Sequence, residues 1–185
     1  MGKLILITGG ARSGKSSYAE KLAKELKGDI LYVATSIPFD EEMKLRIKKH
    51  VERRPESWET LEAYKDFHSK LIPMLNGKSG VLLDCITNLV SNLLLEKSED
   101  TKKIKTARVL EIEKYIKVEV SEIINISKEA SIPFIMVTNE VGMALVPEYP
   151  LGRLFRDLAG SVNQMIAKEA EEVYFCISGI PLKIK

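Results

Sequence analysis

The stretch that most restricts the fold is "GGARSGKS", residues 9–16, placed directly behind the apolar run "KLILIT". Gly9, four residues, then Gly14, Lys15 and Ser16 complete G-x-x-x-x-G-K-[ST] between a predicted strand and a predicted helix, where phosphate binding needs it. Glycines let successive backbone N–H groups turn toward one anion. The helix that follows adds the positive end of its dipole, and Lys15 reaches the β and γ phosphates. The expected nucleotide cradle is therefore Gly9, Gly10, Ala11, Arg12, Ser13, Gly14, Lys15 and Ser16, with the Ser16 hydroxyl as a ligand for Mg²⁺. That metal needs an acid at the end of a neighbouring strand. "GVLLDCITN" supplies Asp84, which is also suited to capping the helix that follows; the two roles are compatible.

Around this motif, short β-rich runs alternate with helical stretches. "KLILIT", "DILYVAT", "GVLLD", "PFIMVT" and "EVYFCIS" are apolar throughout, as strands buried on both faces are. Helices are expected at 16–26, from 40 to about 51, at 63–75, from 88 to about 95, at 106–128 and at 151–170. The pattern predicts an α/β, P-loop NTPase-like fold, RecA-like, with a mostly parallel central sheet flanked by helices. The 185 residues suit a single catalytic domain spanning 1–185. A charged helical excursion at about 38–62 interrupts the alternation, stopped by Pro55, and such excursions at strand ends often carry specificity. The charged stretch "EKSEDTKKIKT" reads as an exposed connection, and the closing "SGIPLKIK" as a final strand pair without chemistry.

Composition narrows the function. A net charge of +2 and an aromatic content of 6% supply neither the field nor the stacking surface for nucleic acid. No apolar run approaches the ~18 residues of a membrane span, so no stable membrane insertion is expected. The first apolar run is too short for a secretory signal, and Leu6 stands where myristoylation needs Ser or Thr. Cys85 and Cys176 lie far apart without metal-type spacing and read as buried free thiols. A cytoplasmic location is expected.

Among nucleotide binders, a Ras-type GTPase would use N-K-x-D to read guanine, and the chain has no such element. "DLAG" at 157–160 fits D-x-x-G but falls inside a predicted helix. Only two histidines occur. His68 sits on a helix between polar and apolar positions and reads as a packed or solvated side chain. His50 lies among Lys48, Lys49, Arg53 and Arg54. Neighbouring cations disfavour imidazolium, leaving a ring nitrogen able to attack phosphorus. An exposed basic helix end explains the same residues without chemistry.

The strings "ITGGARSGKSSYAE", "LYVATS", "RIKKHVERRPESWETLE", "LLDCITNLVSNLL", "VTNEVGMALVPEYPLGRLFRDLAGSVNQ" and "SGIPLKIK" occur in one order along the whole chain. Together they resemble the bifunctional adenosylcobinamide kinase / adenosylcobinamide-phosphate guanylyltransferase family of cobalamin biosynthesis. The resemblance implies phosphorylation of adenosylcobinamide by ATP or GTP. It further implies transfer of GMP from GTP through a guanylyl-histidine, giving adenosyl-GDP-cobinamide and pyrophosphate. It assigns His50 as the guanylylated nucleophile, beside Lys15 as the catalytic lysine. Ala34, Thr35, Ser36, Val51, Glu52, Arg53, Arg54, Glu62 and Asp84 match nucleotide-binding positions. It also implies a homotrimer. Two positions depart from the family pattern: Lys49 stands where a second histidine is frequent, and Asp84 where glutamate is frequent.

Both reactions can share one cradle. Phosphoryl transfer is in-line attack on the γ phosphorus, whereas guanylyl transfer is attack on the α phosphorus, with the gripped β and γ phosphates leaving as pyrophosphate. Two other readings fit the motif: a monofunctional small-molecule kinase whose basic excursion only clamps phosphates, and a nucleotide-dependent regulatory module.

Overall fold

Strands that are apolar on both faces need both faces covered, and five of them form the centre of one sheet. The computed structural model describes residues 2–37, 54–98 and 106–185, together with 41, 45, 51 and 52. In chain order it contains β1 (Leu4–Gly9), α1 (Lys15–Glu25), β2 (Ile30–Ala34), β3 (Glu59–Glu62) and α2 (Phe67–Leu71). There follow β4 (Gly80–Asp84), α3 (Ile86–Lys97), α4 (Thr106–Glu129), β5 (Phe134–Val137), α5 (Pro150–Glu169), β6 (Glu172–Ile177) and β7 (Ile180–Lys183). The strand order is β3-β2-β4-β5-β1-β6-β7. Every pairing is parallel except the β6–β7 hairpin. The α/β fold with a mostly parallel sheet flanked by helices is thus as expected.

Side chains alternate between faces along each strand. Ile5, Ile7, Ile30, Tyr32, Leu82, Ile135 and Val137 face α1. Leu4, Leu6, Leu31, Val33, Val81, Leu83, Phe134 and Met136 face the layer built from α3, α4 and α5. Phe134, 1% exposed, lies in the middle of that layer, and its truncation to alanine would cost about 3–5 kcal/mol in lost contact and residual cavity.

The departures from expectation have local causes. The helix expected at 63–75 is α2 alone, and it passes into a 3₁₀ turn at Ile72–Met74, since Pro73 has no N–H to continue the α-helical ladder. α3 begins two residues before the expected Asn88, with Cys85 at its N-cap position and no side-chain cap bond; Asp84 therefore does not occupy the cap. β3 is a strand that the sequence pattern does not predict. Its two glutamates and exposed surface disguise an edge strand made by pairing with β2. "DLAG" lies inside α5, as predicted. The segments at 38–40, 42–44, 46–50 and 99–105 lie outside the described residues, and with them most of the expected helix at 40–51 and of the charged connection. Among the described residues, no helix is long and apolar enough to cross a membrane.

Candidate functional site: a phosphate cradle at the strand ends

The cradle follows β1 because its glycines adopt conformations closed to other residues. Gly9 has φ +152° and Gly14 φ +92°. A Cβ on Gly9 would stand 2.5 Å from the Cys176 carbonyl oxygen, and one on Gly14 would stand 2.9 Å from Cα of Gly179. Over Gly10 there is open space. Gly14 is the N-cap of α1 and no side chain caps that helix, so its first-turn N–H groups are available to an anion. Ser13 is 7% exposed and its hydroxyl has no hydrogen-bond partner within the protein. A buried hydroxyl of this kind calls for an external partner, and a phosphate oxygen meets that need.

The Lys15 ammonium is buried against the loop and donates to the Gly10 carbonyl at 3.0 Å. Burial pulls its pKa below the usual lysine value, while Cys85, Asp84 and Cys176 act in the opposite direction. Among the charges acting on Lys15 is thus the carboxylate that the sequence singled out.

Asp84 ends β4, level with Ala34 of β2 on one side and Val137 of β5 on the other. The phenol of Tyr32, on the same sheet face, is pushed well above its ordinary pKa, first by burial and then by the Asp84 carboxylate. The guanidinium of Arg54 lies over the Tyr32 ring, 3.2 Å from its centroid, and its Nε is buried without a hydrogen-bond partner. Asp84 thus acts on both Lys15 and Tyr32, and Arg54 lies over the ring of Tyr32, which sequence reasoning passes over as an ordinary strand residue.

The "ATS" element, which begins at the last residue of β2, supports this corner. The Thr35 hydroxyl donates to the Cys85 carbonyl at 2.7 Å and accepts from the Cys85 N–H at 2.9 Å. Asn92 donates to the Thr35 carbonyl at 2.7 Å, and Asn88 to the Ser36 hydroxyl at 2.6 Å. Ala34 accepts from the N–H of Ala63 at 3.0 Å. Glu62 is exposed at the end of β3, and Val51 and Glu52 are exposed. His50 and Arg53 lie outside the described residues.

Two further supports escape a reading of the sequence. The β6–β7 turn, with Ser178 at φ +51° and Gly179 at φ +85°, is of the two-residue primed type, and the Gly179 N–H donates to the Ser13 carbonyl at 2.9 Å. "SG" between apolar runs carries that turn signal, but not its contact with the cradle. At the end of β5, the Thr138 hydroxyl donates to Asn163 Oδ1 at 2.7 Å and the Asn139 N–H to the Thr87 hydroxyl at 2.6 Å.

The candidate metal donors are the Ser16 hydroxyl and the Asp84 carboxylate, both partly exposed. No group of three or more His, Cys, Asp or Glu suited to a metal occurs among the described residues. An oxygen-only pair fits Mg²⁺, which keeps waters and phosphate oxygens in its shell instead of entering an all-protein cage. A depression of about 410 Å³ lined by Gly2, Lys3, Leu22 and Pro133, among others, shares no residue with the cradle.

Comparison with known proteins agrees with this chemistry. Residues 5–184 match the family model described as "Cobinamide kinase / cobinamide phosphate guanyltransferase". The bifunctional adenosylcobalamin biosynthesis protein CobU of Escherichia coli is 42% identical over 98% of this chain and 99% of its own length. That of Salmonella typhimurium is 42% identical with the same coverage. The corresponding CobP of Pseudomonas aeruginosa is 36% identical over 97% of this chain and 96% of its own. Among solved structures, the RadB recombinase matches with a TM-score of 0.45 at 13% identity, covering 94% of this chain and 73% of its own, a likeness too distant to bear on the site. With a cradle of this geometry and relatives matched nearly end to end, the chain belongs to the cobinamide kinase / cobinamide phosphate guanyltransferase family.

Proposed function

We propose that this chain, as one catalytic domain, phosphorylates the aminopropanol hydroxyl of adenosylcobinamide with ATP or GTP, and then transfers GMP from GTP to the resulting phosphate. The observation that carries the reading is the family match over residues 5–184, and the cradle supplies its physical support. In the first step the acceptor oxygen forms a bond to the γ phosphorus and the β–γ bridge breaks, releasing the nucleoside diphosphate. Lys15 and the N–H groups of the loop take up charge on the phosphate oxygens. In the second step a ring nitrogen of His50 bonds to the α phosphorus and pyrophosphate leaves. An oxygen of adenosylcobinamide phosphate then displaces the histidine, giving adenosyl-GDP-cobinamide.

Ser16 and Asp84 would hold Mg²⁺, which would supply charge neutralisation on the phosphates. Arg54, with its orphaned Nε, is suited to a phosphate oxygen. Arg53, Val51, Glu52 and Glu62, with the "ATS" residues Ala34, Thr35 and Ser36, complete the proposed nucleotide site. The free thiols Cys85 and Cys176 suit the reducing cytoplasm. The exposed apolar side chains of the β7 edge, Ile180 and Leu182, suit contacts within a homotrimer.

The test is intact-protein mass after incubation with GTP and Mg²⁺, with and without acid, for the wild type and His50→Ala. The expected result is one acid-labile GMP on the wild type and none on the variant, which still transfers the γ phosphoryl group to adenosylcobinamide. GMP transfer retained by the variant would remove His50 from the mechanism.

A further inference from the structure

Residues 138–149 leave the sheet between the two halves of the phosphate site. β5 lies between β1, which carries the cradle, and β4, which ends at Asp84. Val137 is level with Ile7 on one side and Asp84 on the other. An acceptor approaching a phosphorus held by the cradle meets whatever this strand end presents.

The segment is held in place at both ends. Its root is fixed by Thr138 and Asn139, through Asn163 and Thr87, and by the Glu140 N–H, which donates to the Gly9 carbonyl at 3.0 Å. Further along, the Gly142 N–H donates to the Glu140 carboxylate at 2.7 Å. Arg153 of α5 donates to the carbonyls of Pro147 at 3.1 Å and Glu148 at 2.5 Å. These polar contacts hold a loop whose apolar side chains face outward: Met143 is 81% exposed, Leu145 93%, Val146 66% and Tyr149 74%. Single exposed apolar residues need no explanation, but four on one anchored loop beside a ligand site mark a binding surface.

We propose that Met143, Leu145, Val146 and Tyr149 form the platform on which the apolar face of the acceptor's corrin ring lies, with its aminopropanol arm extending over Glu140 toward the cradle. This rests on the function proposed above. The chemistry matches on both sides: methionine adapts to an irregular apolar face, and tyrosine offers a ring with a hydroxyl at its edge for the ring's peripheral amides. Continuity with the cradle favours the acceptor over a second copy of the chain. A subunit seated here would cover the approach to the phosphates, and the β7 edge offers subunits a separate apolar surface.

The test compares the wild type with Met143→Ser/Leu145→Ser/Val146→Ser, and with the single variant Leu145→Asp, in three measurements. These are the KM for adenosylcobinamide in phosphorylation, the affinity for GTP, and the molar mass in solution. Loss of apolar contact predicts a KM for the corrinoid raised about tenfold or more in the triple variant, with GTP affinity and molar mass unchanged. A corrinoid KM that stays at the wild-type value overturns the proposal. So does a rise that occurs only with a fall in molar mass, which would make the loop a subunit contact. Wild-type protein that binds GTP but never phosphorylates adenosylcobinamide would instead refute the underlying function, and it is scored before any variant is made.

Discussion

The backbone N–H of Gly179 donates to the carbonyl of Ser13 at 2.9 Å, so a turn near the last strand acts as a backstop for a loop formed behind the first. The contact is close because neither side has a Cβ in the way: Gly14 faces Gly179 across a gap that a methyl group on Gly14 would close to 2.9 Å.

A methyl group on Gly179 itself would meet nothing within 4 Å, yet that residue sits at φ +85°. Gly179→Ala therefore isolates backbone strain from steric conflict, at a cost of about 1–2 kcal/mol. Thermal unfolding should show a lower Tm, by about 2–4 °C per kcal/mol for a chain of this size. The rise in Tm on adding GTP should also shrink, because Ser13 loses its reference point. A lower Tm with the full GTP-induced rise would mean that the hairpin stabilises the sheet without shaping the cradle.

Lys15 is stabilising for ligand and costly for the empty protein. Its folded pKa lies below the ordinary lysine value of 10.5, chiefly through burial. The unfolded chain therefore binds the proton more tightly, and stability rises with pH across the window between the lowered value and 10.5. Lys15→Met should raise the Tm of the nucleotide-free protein near neutrality and abolish that alkaline rise. It should also reduce kcat for phosphoryl transfer by about a hundredfold or more. Calorimetry across pH, paired with activity, checks both halves; an empty variant less stable than the wild type would mean that the buried ammonium holds the loop together instead of straining it.

Thr35 is 1% exposed and spends its hydroxyl on both backbone groups of Cys85. Thr35→Val would leave the buried Cys85 N–H without its acceptor, at about 1–3 kcal/mol, and would release the residue that follows Asp84, whereas the Cys85 carbonyl keeps the Leu89 N–H at 3.2 Å. Denaturant unfolding should show the loss, and Thr35→Ser should restore most of it. If the serine variant is as unstable as the valine one, the methyl group rather than the hydroxyl matters.

Glu172 contributes to the acid limb of stability. Lys183 and Lys3, with Nζ atoms at 2.6 and 2.7 Å, hold its pKa down to about 2. The contribution is fully present above the ordinary glutamate value of 4.5 and is lost as pH falls from there through about 2. Glu172→Gln should flatten the decline in Tm across that window and leave the alkaline side unchanged. An acid limb identical to that of the wild type would assign the decline to other carboxylates.

The parts of the site legible in the sequence are those whose requirements are local. The cradle needs glycines at fixed offsets between a strand and a helix, and "GGARSGKS" supplies them. Asp84 is legible because a single acid ends an apolar run. β3 is not, since "ETLE" becomes a strand only through the neighbour it pairs with. Tyr32 reads as one more apolar strand residue until Asp84 and Arg54 are seen beside it. The Thr35 hydroxyl and the Gly179 backstop depend on partners far away in sequence, which no window of residues contains. His50, the residue on which the resemblance places the most chemistry, lies outside the described residues.

The backstop also sets an order of events during synthesis. The cradle leaves the ribosome long before its brace at Ser178 and Gly179, which emerges only after β1 to β6 have been made. Domains generally fold as units as the chain emerges. A nascent chain would therefore carry a complete nucleotide motif throughout the synthesis of β2 to β6 without the final shape of the site, and GTP would act as a late ligand that seals a finished sheet instead of an early template that nucleates one.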